Sequence, residues 1–209
     1  MIFEKKKGET MSELIVPGQM ISDRPTRQPS TYVEDGKTYS AVVAIKNVEG
    51  KIVPLQGPYS PVEGDFVVGV VTNVKFAGYE VALHTPYRAF LSSRELRDTF
   101  ELGDIISAEI ISVDEVKSMM LDNPRCLRGG MLAEFSPVKI PRLIGKKNSM
   151  LELIRGKTGC ELAIGKNGYV WIGPGKTALA FSTIMKVERE AHISGLTNRI
   201  EEYLSKNGK

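Results

Sequence analysis

Three textures of apolar and polar positions follow one another along the chain, and each predicts a different kind of element. Up to residue 61, short β-prone runs such as Tyr39–Ile45 and Lys51–Leu55 lie between closely spaced turn residues: Pro17-Gly18, Pro25, Pro29, Asp35-Gly36, Glu49-Gly50, Gly57-Pro58 and Pro61. That spacing leaves no room for a helix and predicts a small all-β unit. From Gly64 the β-branched run Phe66–Val74 and the alternating Tyr79–Leu83 meet across a Gly-containing connection, the pattern of a hairpin. A stretch of short helical character, Ser92–Phe100, precedes a second pair, Asp104–Val113 and Met119–Asp122, with a turn at Asp114–Ser118. Four or five strands so close together, with Gly at the bends, predict a small closed barrel of the OB type.

The last third changes period. Met131–Ile140 reads as a strand, Pro141 as a first helical residue, and Ile144–Ser149 as an interruption before Met150, Leu151 and Ile154 resume at helical spacing. Gly156 and Gly159 are the expected stops. Cys160–Ile164 and Tyr169–Ile172 read as strands joined by Gly165-Lys166-Asn167-Gly168, in which Asn167 and Gly168 are expected to take positive φ. A helix from about Lys176 to Ile193 breaks near Ser194-Gly195 and resumes with Leu196, Ile200 and Leu204. The order strand, helix, helix, strand, strand, helix is that of an α+β KH domain. The expected domains are therefore 1–61, 62–124 and 125–209.

Composition narrows the class. With 209 residues, 42% hydrophobic and 25% charged, the chain can bury a core, and wholesale disorder is excluded. Its best apolar run, Phe66–Val71, contains a Gly and falls far short of the ~18–20 residues of a membrane span. Met1–Thr10 carries Lys5, Lys6 and Lys7 with no apolar stretch behind them, so a secretory leader is not supported and a cytoplasmic location is expected. Cys126 and Cys160 have no CxxC partner, which argues against a zinc site or a disulfide framework, and no cofactor is expected. Charge is regional: residues 62–136 carry 7 basic and 12 acidic residues, whereas residues 137–209 carry 13 and 6. The basic excess at the C-terminal end suggests a polyanion partner there.

Several motifs bear on chemistry. Gly173-Pro174-Gly175-Lys176-Thr177 invites a phosphate-loop reading, but the pattern needs a Gly where Val170 stands, so a strand-to-helix turn is expected. Gly145-Lys146-Lys147-Asn148 sits where a KH domain has its backbone clamp, and Lys146 and Lys147 are candidates for RNA contact or for a solvated turn. Asn in the fourth place tolerates left-handed backbone but impairs the closest approach of a phosphate. In the barrel, Lys75, Phe76, Tyr79, His84, Tyr87, Arg88, Arg94 and Arg97 interleave aromatic and basic side chains, as a single-strand surface does. Phe90 lies among them, and it and Tyr79 can also be accounted for as core. His84 and His192 fall in separate modules and no nucleophile signature occurs, so catalysis is not expected.

Taken in order, these residues resemble a known family. Ile15-Val16-Pro17-Gly18, Glu63-Gly64-Asp65 with Val67–Val74, Pro141-Arg142-Leu143-Ile144-Gly145-Lys146-Lys147, and above all Gly165-Lys166-Asn167-Gly168 leading into Val170-Trp171-Ile172 are similar to the archaeal exosome RNA-binding cap subunits called ribosomal RNA-processing protein four. The resemblance implies an N-terminal β domain that docks on a hexameric ring of RNase-PH-like subunits, with three caps per ring. It implies S-one-type OB barrels around the entry pore and a KH module, and a non-catalytic role in threading single-stranded RNA toward 3′-to-5′ phosphorolysis. A stand-alone RNA-binding protein, such as a translation factor or RNA chaperone, is the alternative. A polynucleotide phosphorylase fragment fits less well, because there the KH module precedes the barrel.

Overall fold

The computed structural model describes residues 13–26, 31–46, 52–55, 57–94, 96, 98–191, 193 and 195–208, and the chain separates into two compact units, Met1–Gly57 and Pro58–Lys209. Among its described residues the N-terminal unit has six short strands: β1 (Glu13–Ile15), β2 (Met20–Ser22), β3 (Thr31–Glu34), β4 (Lys37–Ser40), β5 (Ala44–Lys46) and β6 (Ile52–Pro54). They form two antiparallel sheets, ordered β1-β5-β6 and β2-β4-β3. The run Tyr39–Ile45 is thus not one strand but two, parted at Ala41–Val43 and serving different sheets. Among its described residues Ile15 and Ala44, flanked by Ile21 and Val42, form a hydrophobic cluster. Polar bonds supplement it, with the buried Thr38 hydroxyl donating to the Arg24 carbonyl and accepting the Thr26 N–H.

In the second unit β7 (Phe66–Lys75), β8 (Gly78–Ala82), β9 (Ala89–Ser92), β10 (Ile105–Val113) and β11 (Met119–Cys126) close a five-stranded barrel in the order β10-β11-β9-β8-β7. All pairs are antiparallel except β9 with β11. Alternation fills the interior with Val67, Val71, Val81, Leu91, Ile106, Ile110 and Leu121 among others. Where helical character was expected, Ser92–Phe100 begins as the last residue of β9, paired with Gly78 of β8, and continues without helix in its described residues.

The C-terminal module follows without a break. Its strands β12 (Met131–Glu134), β13 (Leu162–Ile164) and β14 (Tyr169–Ile172) are ordered β12-β14-β13, with helices α1 (Ile140–Ile144), α2 (Ser149–Thr158), α3 (Thr177–Glu190) and α4 (Leu196–Asn207). The expected strand to Ile140 stops at Glu134, since Pro137 opens a single 3₁₀ turn that runs into α1. Gly156 lies inside α2, and Gly159, left-handed at φ 67°, ends it. Val170 and Ile172 face the helices in one core, whereas Tyr169 and Trp171 face the barrel. Glu190 accepts from Lys186 and Arg199, which ties α3 to α4 and holds its carboxyl below the ordinary value, chiefly through the Lys186 hydrogen bond.

Candidate nucleic-acid interface

Strand pleating leaves one row of side chains outside the barrel, and the register aligns it. Asn73 pairs with Glu80, Glu80 with Phe90, Phe90 with Met120, and Met120 with Ser112. A groove of about 260 Å³ opens over this row, lined by Glu80, Arg88, Phe90, Ser112, Asp114 and Met120 among others. Its floor is a half-buried aromatic ring beside a thioether, and its rim carries charge. The Lys75 ammonium donates to Glu80 Oε1 at 2.6 Å and the Asn73 amide to Oε2 at 3.2 Å. These two bonds, the Lys75 one the larger, together with the charges of Lys75 and Arg88, hold the Glu80 carboxyl below its usual range.

Other expected contacts are spread around the same barrel. Phe76 is fully exposed at the β7–β8 turn, and Arg88 and Arg94 are exposed. Lys117 stands 5.1 Å from the centre of the Tyr87 ring, a cation–π distance. Arg97 lies outside the described residues. Tyr79 is not a surface residue: it is buried in the barrel, edge-on to Phe100 at 5.4 Å, with its hydroxyl accepting the Phe100 N–H. A ring enclosed in this way offers no face for a base.

His84 and the Gly165–Gly168 turn belong instead to the seam between barrel and KH sheet. The His84 ring meets Tyr169 edge-on at 5.0 Å, and its Nδ1 lies 3.5 Å from a Glu134 carboxylate oxygen. Burial, and then the Glu134 charge, push the Tyr169 hydroxyl pKa up. The turn fills a gap in the barrel ladder. Since β8 stops at Ala82, opposite Val70, nothing in the barrel pairs with that side of Phe66 and Val68. The Lys166 N–H donates to the Phe66 carbonyl at 2.9 Å. The Asn167 amide donates to the carbonyls of Val68 at 2.7 Å and Leu83 at 2.9 Å, and accepts the Val68 N–H at 3.1 Å. One side chain thus replaces a strand residue. Asn167 does not take the positive φ expected of it; only Gly168 does, at 95°, closing the turn as a left-handed bulge residue. Gly165 must be Gly, because a Cβ there would stand 2.6 Å from the Val68 nitrogen.

Around that plug, Lys166 Nζ contacts Asp65 Oδ1 at 2.6 Å and the Tyr59 hydroxyl donates to Asp65 Oδ2 at 2.5 Å. Trp171 packs with Val68 and Leu127 while its indole N–H donates to the Gly129 carbonyl at 2.8 Å. The KH loop lies elsewhere, between α1 and α2. Gly145, Lys147 and Asn148 all have positive φ there, at 75°, 51° and 64°, so Asn148 does take the left-handed geometry. Lys146 and Lys147 are exposed, and neither side chain makes a hydrogen bond or ion pair among the described residues.

Met120 is a groove residue that sequence reasoning left out, and Phe90, weighed there against a core reading, is half-buried and lines the groove. Each sits in a wholly apolar triplet, Ala89-Phe90-Leu91 and Met119-Met120-Leu121, where alternation cannot show which residue points outward. Among the described residues no three His, Cys, Asp or Glu side chains converge as a metal site, and no helix is long and apolar enough to cross a membrane.

Comparison with known proteins agrees with this architecture. A KH domain family model matches residues 130–178. The chain is 36% identical to the exosome complex component Rrp4 of Methanothermus fervidus, over 98% of both chains. It is 37% identical to the Rrp4 of Thermococcus kodakarensis, over 92% of this chain and 84% of that one. A crystal structure described as a candidate exosome complex RNA-binding protein superposes with a TM-score of 0.64 at 29% identity, covering 72% of this chain and 97% of that one. The chain belongs to the Rrp4 family of exosome complex components.

Proposed function

We propose that the chain is a non-catalytic, RNA-binding cap subunit of an archaeal exosome in the cytoplasm, which captures single-stranded RNA and threads it toward a phosphorolytic ring. The observation that carries this reading is the grooved outer face of the barrel, on a chain whose relatives along nearly its whole length are named exosome complex components. An aromatic and a thioether offer stacking surface, Lys75 and Arg88 offer charge for phosphates, and Phe76, Tyr87 and Arg94 extend the surface around the barrel. In the same reading residues 1–61 dock on a hexameric ring of RNase-PH-like subunits, three caps to a ring. Residues 62–124 contact RNA, and residues 125–209 brace the barrel while Lys146 and Lys147 add a second, basic contact. The test is the native mass and composition of the complex purified with the full chain. A large assembly with one RNase-PH-like pair per cap is expected, and loss of residues 1–61 should abolish it; a lone 23.0 kDa species would overturn the reading.

A further inference from the structure

Glu80 and Met120 are the two cross-strand partners of Phe90, one on each side of it. Glu80 and Phe90 are paired antiparallel, which sets their Cβ atoms about 4.5–5.5 Å apart, within reach of a base lying on the ring. Resting on the reading that this face takes single-stranded RNA, we propose that Glu80 selects bases with an exocyclic amine over uracil at the position stacked on Phe90, and so favours cytosine there. The apolar side of the cradle, Met120, discriminates little. The polar side, Glu80, accepts hydrogen bonds and donates none while ionised. A carboxylate offers roughly four acceptor sites, and the protein uses one on each oxygen, from Lys75 and from Asn73. Capacity therefore remains on both oxygens.

Cytosine and uracil have the same ring and stack alike, but cytosine carries an N4 amine where uracil carries a carbonyl oxygen. The amine can donate to Glu80, whereas the carbonyl oxygen meets another acceptor. Asp114, which also lines the groove, adds acceptor character of the same sign. Arg88 is the one purely donating side chain among the lining residues, and it favours carbonyls; the proposal requires Glu80 to outweigh it.

The test compares short oligocytidine and oligouridine strands of equal length, binding the full chain in low salt. A preference for cytosine of about fivefold or more is expected. Glu80→Gln, whose amide both donates and accepts, should bring the ratio below about twofold. A ratio near one in the unaltered chain, or an undiminished ratio in Glu80→Gln with both strands still bound, overturns the proposal while leaving the RNA reading intact. Binding of neither strand would overturn the RNA reading itself, and the proposal with it.

Discussion

Lys75 and Lys166 each hold a carboxylate oxygen at 2.6 Å, yet the two ion pairs do different work. Glu80, the partner of Lys75, has a third of its side chain exposed on the grooved face, whereas Asp65, the partner of Lys166, keeps 7%. Water competes for the first pair, so it can rearrange when a ligand arrives, and it adds little to stability. In the second the carboxylate is enclosed by the Tyr59 hydroxyl and the plugging turn while the Lys166 end stays in contact with water, so losing Lys166 leaves the Asp65 charge buried without its cation. Equal geometry thus divides into an adaptable binding face and a rigid seam. Burial makes the difference.

The strongest way to break this contrast is to remove the plug. Asn167→Ala deletes three buried hydrogen bonds and leaves the polar groups of Val68 and the Leu83 carbonyl unpaired. We expect a loss of about 3 kcal/mol or more, read as a fall in the thermal midpoint and faster amide exchange at Val68. An unchanged midpoint would mean that the seam is not what joins barrel and KH sheet.

Next in size is Phe90→Ala, expected to weaken single-strand binding by about fivefold or more while the fold persists. Asp65→Asn and Glu80→Gln sharpen the contrast directly. The first should lower stability by about 1–3 kcal/mol, and the second should leave the denaturation midpoint where it was.

Lys75→Ala and Arg88→Ala should each flatten the dependence of log affinity on log salt by about 0.7, the value of one phosphate contact on a single strand. Changes confined to affinity, with the slope preserved, would remove these residues from phosphate contact.

The smallest effect is alkaline. Burial, followed by the hydrogen bond to Asp65 and that residue's charge, pushes the Tyr59 hydroxyl pKa far above its ordinary value of about 10. The folded chain therefore keeps this proton when the unfolded chain loses it. Its contribution is fully present below about pH 10 and declines as pH rises beyond that. Tyr59→Phe should show a shallower alkaline loss of stability than the unaltered chain, in melts at stepped pH.

Much of the fold was readable locally. The β7–β8 hairpin, β10, the helices at Met150–Ile154 and Leu196–Leu204, and the βααββα order all follow from period and punctuation within short windows. Long-range pairing hid the rest. Ala89–Ser92 is a strand held between β8 on one side and Met119–Leu121, thirty residues on, on the other, and no local rule contains the second pairing. The candidate site divides in the same way. Phe76, Arg88 and Lys75 are exposed as their polar, turn-rich surroundings implied, whereas Tyr79 went inward and His84 into the seam once a second module covered that side of the barrel.

From sequence alone came the modules, their order and the family, because turn residues, β-branched runs and helical spacing act over distances of a few residues. Tertiary structure alone decided what Gly165-Lys166-Asn167-Gly168 is for. A tight turn is visible in the four letters, but its target is the unpaired edge of a strand about a hundred residues earlier, and that edge exists only because β8 stops short. Buried backbone groups must find partners, and which groups are left wanting is a property of the whole barrel.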